Sequence, residues 1–118
     1  MTSAQVRKLA LSLPEATEEP HFAMWSFRVC GKIFATVPPE GGHLHIFVDG
    51  QAVRMAVADD PKIFEELWWG KKLAGLRVNL PSARPAAVRE LLYASWRSRA
   101  PKRLVAAVAA RRDEPRPR

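Results

Sequence analysis

ELWWGKKLAGLRVNL, residues 66–80, sets two adjacent tryptophans, a glycine and two lysines in front of an alternating run. How this stretch divides between helix and strand sets the strand count of the fold. Just upstream, Asp59 or Asp60 followed by Pro61 is a strong helix start: a carboxylate accepts orphan amides and proline suits the first helical position. Ile63, Phe64, Leu67 and Trp68 then form an apolar stripe, so the expectation is a helix that Gly70 ends. On that reading Trp68 is core, Trp69 covers an edge, and Lys71 and Lys72 follow the glycine turn. GLRVNL, residues 75–80, resumes as a strand with Leu76, Val78 and Leu80 on one face and Arg77 and Asn79 on the other.

Towards the N-terminus, Val6, Leu9, Ala10 and Leu13 lie at helical spacing, with Thr2 or Ser3 as N-cap and Pro14 forbidding continuation. EATEEP, residues 15–20, reads as an acidic connector. WSFRVC and KIFATV flank Gly31, whose freedom at positive φ suits a tight hairpin turn. PPEGG, residues 38–42, is a loop, and HLHIFV alternates Leu44, Ile46 and Val48 with His43, His45 and Phe47. Residues 51–58 fit a strand or a short helix, and the helix is favoured.

Beyond residue 80, a helix opens near Pro85 with Val88, Leu91, Leu92, Ser95 and Trp96 along one stripe. Pro101 starts a last, alanine-rich helix running to about Ala110. DEPRPR, residues 113–118, has no apolar anchor and reads as a frayed tail after a single domain at 1–112.

This order groups helices and antiparallel strands. The expected class is α+β: two layers, an antiparallel four-stranded sheet made of a three-strand meander plus one later strand, with helices on one face. No GxGxxG or GxxxxGK[ST] pattern supports a parallel nucleotide-binding sheet.

With 47% hydrophobic and 26% charged residues, the 118-residue chain has the composition of a folded globular domain. A lone cysteine, Cys30, excludes a disulfide within the chain and fits a reducing compartment. Neither a signal-peptide core nor a membrane-spanning run is present, so a cytoplasmic location is expected. The formal charge of +7 is unevenly placed: residues 1–70 carry 6 basic against 9 acidic groups, and residues 71–118 carry 13 against 3. Such asymmetry argues for an anionic partner.

LSLPEATEE, His21-Phe22, SFRVCGKIFATV, the DPxxF run of Asp60 to Phe64, GLRV and VRELLYASWRSRAPKRLV together resemble the MmcQ/YjbR family of small bacterial proteins. The similarity runs in order over about residues 4–106. What the resemblance implies is a compact antiparallel α+β fold, secretion-chaperone/frataxin-like in shape. It also implies a double-wing arrangement for which a DNA-binding role has been inferred by fold analogy. The chain departs from longer members at Asp59–Leu76, where the connection is short.

The residues nominated for phosphate contact are Arg28 and Lys32 on the first hairpin, then Lys71, Lys72, Arg77, Arg84, Arg97, Arg99, Lys102 and Arg103. Duplex DNA offers dense negative charge, and each neutralised phosphate releases counterions. Lys102 and Arg103 follow Pro101 at a helix start, where free amides also favour an anion. Phosphate contacts position a protein and carry little sequence information. About four to six of them predict a slope of log K against log salt of about −4 to −5.

Other constellations point less strongly to chemistry. His43 and His45 share a strand face as an HxH metal pair does, with His21 or Cys30 to complete it, but solvated histidines explain them as well. Cys30 has no oriented base or oxyanion motif beside it. Glu18, Glu19, Glu65 and Glu66 read as solvated surface. The expectation is therefore a monomeric, non-enzymatic DNA-binding protein with no cofactor. A protein-interaction module using its sheet or the Trp68/Trp69 surface is the alternative, and a small-molecule binder requires a concave pocket with convergent polar groups.

Overall fold

The computed structural model describes residues 1–112 as α1 (Ser3–Leu11), β1 (Ala16–His21), β2 (Met24–Val29), β3 (Lys32–Val37), β4 (His43–Ile46), α2 (Gly50–Asp59), β5 (Phe64–Trp69), β6 (Lys72–Asn79), α3 (Pro85–Arg99) and α4 (Lys102–Arg112). The tail read at 113–118 lies outside the described residues. All strand pairs are antiparallel, in the spatial order β1, β2, β3, β4, β6, β5. The α+β class therefore holds, but the sheet has six strands where the sequence reading expects four.

One added strand is β1, drawn from the segment read as an acidic connector. It lies at the sheet edge, where a strand needs no continuous apolar face, and it tolerates Pro20 there. Backbone pairing to β2 holds it, with the Ser26 hydroxyl donating to the Glu19 carbonyl at 2.7 Å.

The other is β5, which replaces the helix expected after Pro61. Asp60 does not start a helix; it closes α2, its amide donating to the Ala56 carbonyl. The amides of Ile63 and Phe64 then fold back onto the Asp60 carbonyl at 3.2 and 3.0 Å, forming a turn. From Phe64 the chain pairs with β6 through a two-residue turn, Gly70–Lys71, with Gly70 at φ +61°. At the register shift between Leu67 and Trp68 the extra residue, Ala74, belongs to β6, and β5 carries its apolar Phe64, Leu67 and Trp68 at a spacing that matches a helix. Trp68 is 51% exposed and Trp69 57%, so Trp68 is not core.

The remaining elements follow the sequence pattern. Thr2 caps α1 in a capping box with Gln5, and residues 50–59 are helical. Phe27, Val29, Ala35, Leu44, Ile46, Leu76 and Val78 line one sheet face and meet Val6, Ala10, Val53, Val88, Leu92 and Trp96 from α1, α2 and α3. Fully burying one of these valine, leucine, isoleucine or phenylalanine side chains contributes about 1.5–3 kcal/mol. Trp96 is fully buried, and its indole N–H donates to the Pro14 carbonyl at 3.1 Å.

Strand direction fixes what lies at each end. Counting through the antiparallel pairs, β2 and β5 run the same way, so the Cys30–Gly31 and Gly70–Lys71 turns project from one end of the sheet. These two hairpins are the wings. Between them β4 stops at Ile46, and the chain crosses over Gly75, where any Cβ would run into the Ile46 carbonyl.

Candidate nucleic-acid interface

The first wing tip combines Cys30 at φ +48° with Gly31 at φ +81°, as a type I′ turn requires, and puts Lys32 in solvent. The second presents Lys71 and Lys72, both exposed. A third basic element joins them. Arg103 lies 3.4 Å from the Glu15 carboxylate, and Glu15 directly precedes Ala16, the partner of Val29 beside the first tip. The α3–α4 corner, with Arg99, Lys102 and Arg103, therefore stands at the wing end. Among the described residues, Lys32, Lys71, Lys72 and Lys102 form no ion pair with a carboxylate.

The other nominated cations are engaged inside the molecule or lie away from that end. Arg28 donates to the Ser26 hydroxyl at 3.0 Å and sits 3.7 Å from the Glu19 carboxylate. Arg77 lies between Glu40 at 3.8 Å and Glu65 at 3.5 Å, beside the His43 ring at 3.3 Å. Arg97 stacks over Tyr93 at 5.5 Å. Arg84 precedes α3 at the opposite end, bordering a small cavity with Asp59 and Asp60.

The sheet face away from the helices holds a half-open cavity of about 370 Å³ that extends from His21 and Met24, beside the β1–β2 turn, to the second hairpin. Ile33 and Thr36 border it from β3, His45 from β4, and Trp69 and Lys72 from the second hairpin. Phe47 packs against Trp69 with ring centroids 5.2 Å apart. Arg99 lies over Phe47, 5.6 Å from its ring, and donates to the Phe47 carbonyl at 2.9 Å and the Ser98 hydroxyl at 2.7 Å. Burial holds the His45 imidazole below its ordinary range, and the Arg77 guanidinium adds to that shift. Burial also lowers the Arg99 pKa. The Thr36 side chain is buried, and its hydroxyl has no hydrogen-bond partner in the protein.

Sequence reasoning missed Thr36 and Phe47 and took Trp69 for an edge cover. The period-two pattern does place Thr36 and His45 on the same face, and they pair across β3 and β4. No three His, Cys, Asp or Glu side chains among the described residues gather as a metal site needs. His43 lies 3.9 Å from Glu40, whereas His45 borders the cavity. Cys30 is exposed at a wing tip. Glu18 and Glu19 sit on one edge strand and Glu65 and Glu66 on the other, so the four do not form a carboxylate pair across a site. No helix among the described residues is long and apolar enough to cross a membrane.

Residues 11–98 match the family model described as YjbR. The structure resembles the crystal structure of Deinococcus radiodurans protein DR2400, described as a DUF419 domain. The TM-score is 0.70 at 20% sequence identity, over 82% of this chain and 77% of that one. At that identity the likeness speaks for the fold. A search of curated proteins found no match.

Proposed function

The chain belongs to the YjbR family, and on that premise we propose that it is a non-enzymatic, weakly sequence-specific DNA-binding module that holds phosphates with its wing end. One observation carries the reading. Both hairpin tips and the start of α4 stand at the same end of the sheet and offer Lys32, Lys71, Lys72 and Lys102 without carboxylate partners. Exposed ammonium groups of this kind neutralise phosphate and release counterions, and the free amides at the α4 N-terminus add to the attraction. The charge pairs that hold Arg28 and Arg77 remove them from the proposed contact set.

Four lysines set the expected salt dependence. Fluorescence anisotropy of a labelled duplex titrated across salt concentrations should give a slope of log K against log salt of about −3 to −4. Unrelated duplexes should bind with closely similar affinity, as phosphate contacts dictate. A slope near zero, or no binding at low salt, defeats the proposal.

A further inference from the structure

We infer that the cavity on the open sheet face is a binding site for a small planar organic anion, an aromatic or conjugated monocarboxylate. The inference shares Lys72 with the proposed phosphate contacts but otherwise rests on the cavity's own walls. Its volume, about 370 Å³, lies at the lower end of the range for small-molecule pockets. Its border includes two cations, Lys72 and Arg99, and no Asp or Glu. His45, held towards its neutral form, adds a hydrogen-bonding ring without offsetting that positive charge.

Shape narrows the class further. Trp69 is more than half exposed, yet its ring is fixed against Phe47, so a flat aromatic surface is displayed to the cavity. Arg99 already uses one terminal nitrogen to hold Phe47 and Ser98, which leaves its remaining N–H groups and the Lys72 ammonium for a single acidic group. Thr36 borders the space as well, on a side chain whose hydroxyl is buried and has no partner in the protein. A buried polar group of this sort is costly until it is bonded.

The test uses 1-naphthoate as probe, with 1-naphthamide and 1-naphthylmethylammonium as its neutral and cationic counterparts. Calorimetry is run in parallel with methyl NMR spectra of the wild-type chain. Naphthoate should bind saturably, at one site, and shift the Met24 and Ile33 methyl signals. The amide should bind at least about tenfold more weakly, and the ammonium compound should not bind. Lys72→Gln alters an exposed side chain and is expected to melt like the wild type, whereas Trp69→Ala gives up its packing on Phe47 and should melt somewhat lower while staying folded. Each should weaken naphthoate about five- to tenfold. Equal affinity for acid and amide would overturn the anionic class. Absence of saturable methyl shifts at millimolar probe would overturn the site, and so would undiminished affinity in both folded variants.

Discussion

The Ser95 hydroxyl donates to the Phe34 carbonyl at 2.6 Å, joining the middle of α3 to the irregular stretch of β3. Both residues are closed off from solvent. Ser95→Ala removes this buried bond and should lower the unfolding free energy by about 1–3 kcal/mol. Urea titration would read that as a lower midpoint at unchanged slope.

Trp68 distinguishes the strand from the helix expected at the same residues. Exposed on β5, its replacement by alanine should change stability by about 0.5 kcal/mol or less. A core tryptophan would cost about 3–5 kcal/mol, so a single thermal or urea melt separates the two arrangements.

Two glycines should respond differently to alanine. At Gly75 the new methyl meets the Ile46 backbone, which cannot yield as a side chain does, so Gly75→Ala is expected to cost about 3 kcal/mol. At Gly31 nothing lies near a Cβ, but the φ of +81° disfavours any L side chain; the expected cost is about 1–2 kcal/mol. Equal losses in paired urea titrations would argue against the crossing of the chain over Gly75.

Wing lysines and sheet arginines should separate in DNA titrations. Replacing Lys71 and Lys72 together with alanine should flatten the salt slope by about 2 units and leave the melt unchanged. Arg77→Ala should keep the slope. By removing the partner shared by Glu40 and Glu65, it should lower stability instead.

His45 makes stability depend on pH. Burial first, and Arg77 second, lower its pKa below 6.5, His43 adding in the same sense while Glu40 and Glu65 oppose. Below pH 6.5 the unfolded chain takes up the proton before the folded one, so stability present above that value is lost as pH falls through the folded-state pKa. His45→Asn should shrink the drop in urea midpoint between about pH 7.5 and pH 5. An unaltered drop would place the acid sensitivity elsewhere.

The elements legible in sequence are those whose side-chain period survives folding. The α3 stripe from Val88 to Trp96 and the hairpin around Gly31 stand where spacing and turn chemistry put them. β1 was hidden because an edge strand is held by backbone bonds and shows no apolar alternation in Thr17, Glu18 and Glu19. β5 was hidden because Phe64, Leu67 and Trp68 fall at helical spacing on an edge strand that needs no apolar alternation, and the Asp-Pro pair that announces a helix closes one instead. The lysines after Gly70 were legible as the point where charge changes sign. Their sharing an end with Lys102 depends on strand directions that no local pattern carries.

The two outer strands share a further property. Each carries a pair of adjacent glutamates, Glu18 and Glu19 on β1 and Glu65 and Glu66 on β5. Arg7, Arg28 and Arg77 pair with Glu18, Glu19 and Glu65 within the chain, so a second copy extending the sheet, whichever edges meet, encounters charged side chains whose pairing it would disturb. Pro20 also withholds a backbone donor on one of those edges. On β1 the acidic residues that conceal the strand in the sequence therefore also disfavour growth of the sheet at that edge.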